Sequence, residues 1–184
     1  MKSSYLLIIV VIVTAALSLG WFFDEKKPIS LVSPLQVPDN IDYYLSNINY
    51  KSMNLQGSLH YHLQSPLLQH YIQEDASKIQ QPVIQFNGDK STWFIQSESA
   101  LLKHENDQFE LRQQVELKRN SQQPMLVKTD LMYLKPRQNL VQIPRHMTVT
   151  TTNVNLQAAS AELDMNQNTY KFKRVKAIYQ QDKS

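Results

Sequence analysis

The chain has 184 residues, of which 42% are hydrophobic and 19% charged, with three Gly, eight Pro and no Cys. That is enough for one core-forming domain with an appendage, and the composition is neither collagen-like, coiled-coil-like nor wholly disordered. The missing Cys excludes a disulfide framework, Cys-ligated zinc, iron–sulfur clusters, a thiol nucleophile and a lipoprotein anchor; a net charge of +3 without an arginine-rich block excludes the footprint of a nucleic-acid binder.

From Tyr5 to Phe23 no side chain is charged, and Leu6 to Val13 is apolar throughout. As a helix this stretch reaches about 28 Å, against ~30 Å of bilayer hydrocarbon, so residues 1–23 read as a single N-terminal transmembrane anchor. Lys2 precedes it, whereas Asp24-Glu25-Lys26-Lys27 behind it is charge-balanced, which keeps the N-terminus cytoplasmic and exports the rest. A cleaved signal peptide is the competing reading, because Ser18-Leu19-Gly20 offers small residues at cleavage-compatible spacing. The length of the apolar run and its Trp21-Phe22-Phe23 belt favour retention. Residues 24–48, with Pro28, Pro34 and Pro38, read as an extended tether.

Beyond the tether a period of two takes over, in residues 49–184. Leu59, Tyr61 and Leu63 alternate with His60, His62 and Gln64, Phe109 and Leu111 with Glu110 and Arg112, and Tyr170 and Phe172 with Lys171 and Lys173, the pattern of half-buried strands. Asn87-Gly88-Asp89, Glu105-Asn106-Asp107, Lys135-Pro136-Arg137 and Asn166-Gln167-Asn168 supply turns between the runs. Phe109-x-Leu111-x-x-x-Val115-x-Leu117 returns 32 residues later as Val141-x-Ile143-x-x-x-Met147-x-Val149, and Tyr170-x-Phe172 opens a weaker third copy. Such a period predicts stacked units sharing one buried face, here an antiparallel meander rolled over on itself. Similar units leave nothing to close the ends, so the outermost strands offer unpaired backbone groups to another chain.

Chemistry-bearing motifs are absent. His60 and His62 share one strand face and could in principle ligate zinc, but only His70 offers itself as a third ligand, and alternation puts the pair on the solvent face opposite Leu59, Tyr61 and Leu63. There is no G-x-S-x-G, H-E-x-x-H or G-x-x-x-x-G-K-[ST] pattern, so no catalytic residue, metal or cofactor is assigned and no enzyme is expected.

Pro38-Asp39, Tyr43-Tyr44, the run from Gly57 to Ser65, His70-Tyr71, Pro82-Val83, Phe86, the run from Trp93 to Ser97, Ala100 and Thr129-Asp130 resemble, in order and spacing, the LptC family. Gln114 and Asn153 depart from it, standing where relatives commonly carry Gly. The resemblance implies an all-β fold, an open antiparallel β-jellyroll of stacked hairpins, held in the periplasm by one span of the cell inner membrane. It further implies a relay that takes lipopolysaccharide from an inner-membrane ABC transporter complex of the LptBFG type and passes it to a soluble LptA-type partner. The acyl chains would then meet inward residues Phe86, Trp93, Ile95, Phe109, Leu111, Val115, Val141, Ile143, Val149, Tyr170 and Phe172. Tyr170, Phe172, Val175 and Tyr179 would form one partner edge, beside the basic Lys171, Lys173, Arg174 and Lys176, and Leu59 with Tyr61 the opposite one. A tethered scaffold that binds only proteins, its interior fully packed, is the rival reading.

Overall fold

The structure, a computed structural model, describes residues 40–88, 91–121 and 123–179. The expected membrane segment, Asp89 of the first expected turn, and the tether up to residue 39 lie outside them. Among the described residues no helix is long and apolar enough to cross a membrane. Among the described residues two short 3-10 turns, Ile72–Glu74 and Pro136–Gln138, interrupt an otherwise all-β arrangement.

The strands are β1 (Ile41–Met53), β2 (Leu59–Tyr71), β3 (Ala76–Gln80), β4 (Val83–Asn87), β5 (Thr92–Gln96), β6 (Ser99–Lys103) and β7 (Gln108–Asn120), then β8 (Met125–Lys135), β9 (Leu140–Ile143), β10 (Met147–Thr151), β11 (Val154–Ala158), β12 (Ser160–Asp164), β13 (Thr169–Lys173) and β14 (Lys176–Tyr179). They form nine consecutive passes: β1, β2, β3 with β4, β5 with β6, β7, β8, β9 with β10, β11 with β12, and β13 with β14. Every pass pairs antiparallel with the one before it and the one after it. The long strands show how this becomes a roll. Tyr61–Gln64 of β2 pairs with β4 while Leu67–Tyr71 pairs with β3; Gln96 to Thr92 of β5 and Lys103 to Ser99 of β6 likewise take opposite halves of β7. Each pass therefore bends at its middle and lays its two arms in two facing sheets. Tyr61 of one sheet and Phe109 of the other meet edge to face, ring centroids 6.1 Å apart, and the core lies between them.

The bends have a chemical cause. At Ser65 the side-chain Oγ donates to the Gln80 carbonyl at 2.6 Å, at Ser97 Oγ donates to the Ser99 carbonyl at 2.9 Å, and at Thr129 Oγ1 donates to the His146 carbonyl at 3.0 Å. These short hydroxyls answer backbone groups that a turning strand withdraws from its ladder. The bends between them use left-handed backbone instead: Gln81 has φ 42°, and Gln113 and Gln114 have φ 63° and 50° at the bulge where β7 slips against β8. Gln114 thus occupies a conformation that favours Gly, whereas Asn153, in the bend before β11, does not take a positive φ. Positions 65, 81, 97, 113 and 129 are sixteen apart. Because neighbouring passes run in opposite directions, the residue order repeats only at every second one, which is why the sequence shows a period of 32.

One boundary differs from expectation. Residues 41–48, assigned to the tether, are the first arm of β1 and pair with Tyr71 to Ser65 of β2. No Pro follows Pro38 in this stretch, so its backbone donors are free to join a ladder.

Candidate functional site

Inward side chains line up in ladders that cross the whole stack. One runs Tyr50, Leu63, Ile84, Ile95, Leu117, Val127, Val149, Leu156 and Ala177 through the first sheet. Its counterpart in the second contains Phe109, Leu134, Val141, Leu163 and Tyr170. All eleven residues assigned to the acyl-chain surface belong to this interior, and nine of them, Phe86, Trp93, Ile95, Phe109, Leu111, Val115, Val141, Ile143 and Val149, are at most 2% exposed. Tyr170 and Phe172, in the last pass, are half-buried and pack on the same core.

This packing corrects the expectation of an open channel. Surfaces with almost no accessible area leave no room for a file of methylenes, and the facing sheets meet side chain on side chain. Two grooves of about 530 and 540 Å³ follow the bends and the outer face instead, lined by exposed residues such as Gln96, Glu98 and Asp130 in the first and Phe94, Lys118 and Thr150 in the second.

The side of the roll away from the bends is latched. Trp93 Nε1 donates to the Met165 carbonyl at 3.3 Å, and His60 Nε2 lies 3.2 Å from Asn139 Oδ1. Gly88 sits so close to Met165 that a Cβ there would be 2.7 Å from its carbonyl oxygen. Arg119 Nη1 donates to the Tyr170 hydroxyl, and the guanidinium lies 5.8 Å from the Trp93 ring centroid and 5.6 Å from that of Tyr170. Each contact joins a residue of one sheet to a turn or strand of the other. Burial pushes the Tyr170 hydroxyl pKa up, with Arg119 pulling the other way, and burial raises that of Tyr61 further, helped by Asp107. Sequence reasoning missed Arg119, although the signal was present: it continues the inward alternation of Val115 and Leu117.

The histidines do not converge. His62 faces outward as expected, its Nε2 2.6 Å from Asn49 Oδ1. His60 is not simply solvated, since its ring stands edge-on to Phe86 at 4.9 Å. His70 belongs to the other sheet, with Nδ1 3.2 Å from the buried Ser77 Oγ, itself 2.9 Å from His104 Nε2. Among the described residues no group of three metal-ligating side chains assembles.

The edges need one correction as well. Leu59 and Tyr61 do not form a free edge, because β2 is covered by β1 on one side and by β4 on the other, where Asn87 Nδ2 reaches the Leu59 carbonyl at 3.2 Å. Among the described residues the first edge is β1, which pairs there only with β2 and carries exposed Tyr43, Tyr44, Leu45, Tyr50 and Met53. At the other end, among the described residues, β13 pairs only with β12 and β14 only with β11, so Tyr170, Phe172, Val175 and Tyr179 lie in the last described pass. Lys173, Arg174 and Lys176 beside them are exposed.

The family model described as "Lipopolysaccharide-assembly, LptC-related" matches residues 7–180. No curated protein matches the chain. Among solved structures it is similar to the crystal structure of LptH, the LptA homologous periplasmic component of the lipopolysaccharide transport device of Pseudomonas aeruginosa. That likeness has a TM-score of 0.54 at 8% identity, covering 66% of this chain and 95% of the other, and it establishes the shared fold.

Proposed function

The chain belongs to the LptC family, whose role is in lipopolysaccharide transport, and on that premise we propose that it is a non-enzymatic relay in the periplasm. It receives lipopolysaccharide from an inner-membrane ABC transporter complex of the LptBFG type and passes it to a soluble LptA-type protein, while residues 1–23 anchor it in the inner membrane by one span. The observation that carries the reading is an apolar interior, continuous across the nine described passes, whose end strands each pair on one side only among the described residues.

The energetics favour a sheltered path. Exposing an acyl chain of about a dozen methylenes to water costs on the order of 10 kcal/mol, at ~0.8 kcal/mol per CH₂, and lipopolysaccharide has several chains. Parting the sheets at the latch breaks a handful of hydrogen bonds at roughly 0.5–1.5 kcal/mol net each. Chains that enter replace the contacts the facing side chains give up, so the opening term is the smaller one. By the same logic β1 meets a β-domain of the transporter, and β13 with β14 meets the soluble partner, through backbone pairing.

The closed interior favours a second reading, a tethered scaffold that binds proteins alone. Photo-crosslinking residues placed at Phe86, Trp93, Phe109 and Phe172, in cells that make the lipid, separate the two. The relay yields lipopolysaccharide adducts at one or more of these positions; adducts at none of them leave the scaffold. Deleting the chain after Asn168 abolishes capture of the soluble partner and leaves the membrane complex assembled, and retained capture would remove that edge from the scheme.

A further inference from the structure

Arg119 is a cation in an apolar file. Across the sheet its register neighbours are Trp93 on one side and Met125 on the other, and along β7 the preceding inward residues are Val115 and Leu117. Its Nε is buried although the side chain as a whole is half-buried, and a guanidinium partly withdrawn from water ordinarily recovers the lost hydration from a carboxylate. Arg119 has no ion pair among the described residues. It rests instead between two aromatic rings, donates from Nη2 to the Gln123 carbonyl at 2.6 Å and from Nη1 to the Tyr170 hydroxyl, and leaves its buried Nε–H without an acceptor. Two neutral oxygens are a thin substitute for an anion. An unpaired buried donor and an uncompensated charge in one side chain mark a site built for a group that is not part of the chain.

Its place in the fold says which group. Tyr170 stands in the opposite sheet, so parting the sheets for a lipid removes the Nη1 bond and turns the guanidinium fork toward the newcomer. Arg119 lies at the end of β7, beside the exposed Asn120 and Gln123, where the apolar interior gives way to solvent. An amphiphile with its chains between the sheets holds its charged headgroup at that depth. We propose that Arg119 binds a phosphate of that headgroup, in the seat Tyr170 fills when the roll is closed, and so selects phosphorylated lipids over uncharged ones with the same chains. The planar fork matches two phosphate oxygens at once, which an ammonium does not.

The proposal rests on the relay reading and adds the group that is recognised. It is tested with the full chain in lipid nanodiscs, a photo-crosslinker at Phe172, and two probes: bisphosphorylated lipid A and the same lipid A with both phosphates removed. The native Arg119 protein reaches half-maximal adduct at about tenfold lower concentration of the phosphorylated probe, equivalent to ~1.4 kcal/mol. Arg119→Gln brings the two probes level by weakening capture of the phosphorylated one, Arg119→Lys keeps part of the preference, and Tyr170→Phe, which removes the competing hydroxyl, keeps all of it. Equal capture of both probes by the native protein, or an undiminished preference in Arg119→Gln, overturns the proposal and leaves Arg119 a latch between two rings. If native protein captures neither probe with the crosslinker at Phe172, nor with it at Phe86, Trp93 or Phe109, the relay reading falls and takes this proposal with it. An Arg119→Gln chain that fails to fold is replaced by Arg119→Lys, where a preference equal to the native one would show that the fork itself is not read.

Discussion

The middle passes and the end passes of the roll are made of the same material and meet different fates. In β7 and β8 the inward Leu111, Leu117, Val127 and Leu134 are fully buried, whereas Leu45 and Tyr50, in the same ladders one pass beyond β2, are 49% and 51% exposed. At the far end Tyr170 and Phe172, inward in the last pass, are only half-buried. Nothing in residue type accounts for the contrast; the number of neighbouring passes does. The array is one-dimensional, each unit stabilised by the two beside it, so the terminal units are half-finished surfaces. Charge follows the same rule. On the outer face of the middle passes Glu116 contacts Lys128 and Lys118, both at 2.9 Å, while in the last pass Lys171 reaches Glu162 only at 3.9 Å and Lys173, Arg174 and Lys176 have no ion pair among the described residues. On the proposed scheme the first edge takes an apolar strand, and the last one that also brings negative charge.

The contrast is sharpest in the core. Leu117→Ala deletes a side chain enclosed on every side and should cost about 2–5 kcal/mol, because the cavity it leaves cannot collapse between paired strands. Leu45→Ala, in the first pass on the file that holds Leu111, should cost less than about 1 kcal/mol. Urea unfolding of the two variants checks this, and equal losses would mean that the end pass is as much a part of the core as the middle. Gly88→Ala comes next. The new Cβ meets the Met165 carbonyl at 2.7 Å, and a shift of backbone is the only relief, so we expect a loss of roughly 1–3 kcal/mol. Since Trp93 donates to the same carbonyl, its emission in a Trp21→Phe background should move to the red as the latch loosens. An unshifted spectrum with unchanged stability would show that the two sheets are not held there.

How much of this could be read from the chain follows from what alternation encodes. A period of two marks inward residues pass by pass, so Phe86, Trp93, Ile95, Phe109 and Leu111 were legible, as was the meander. Register across passes is a tertiary property, and alternation is silent about which strand is outermost: Leu59 and Tyr61 look like an edge until β1 is laid against them. The bends were hidden in plain spacing. Ser65, Ser97 and Thr129 stand 32 residues apart, each behind an inward pair such as Tyr61 and Leu63, Trp93 and Ile95, or Met125 and Val127. Whether an apolar interior is open or closed depends on how far two sheets lie apart, and no pattern of hydrophobicity carries that distance.

Gln114 offers a smaller test at the centre of the middle passes. Left-handed backbone costs a residue with a side chain about 1–2 kcal/mol, and the added freedom of Gly in the unfolded chain takes back about 0.5–1, so Gln114→Gly should stabilise by about 0.5–1 kcal/mol. A fall in the urea midpoint would show that the Gln side chain contributes more at the bend than the backbone loses.

The smallest effect is electrostatic and compares the middle with the end directly. Hydrogen bonds from Lys128 and then Lys118 hold the Glu116 carboxyl below the usual carboxylate range. Folding lowers this pKa, so the native state favours the ionised form; its stabilisation is full above the ordinary carboxylate pKa and fades as the pH falls through the lowered one. Glu116→Gln should therefore cost under about 1 kcal/mol near neutral pH, the range of a partly exposed pair, and nothing in strong acid where both chains carry a neutral side chain. Added salt should shrink the neutral-pH difference. Lys176→Gln, which removes a charge with no acidic partner, should leave the acid limb of the stability curve where it was. If Lys176→Gln moved that limb as far as Glu116→Gln does, paired charge would no longer distinguish the middle of the roll from its end, and the basic last pass would already be satisfied within the chain.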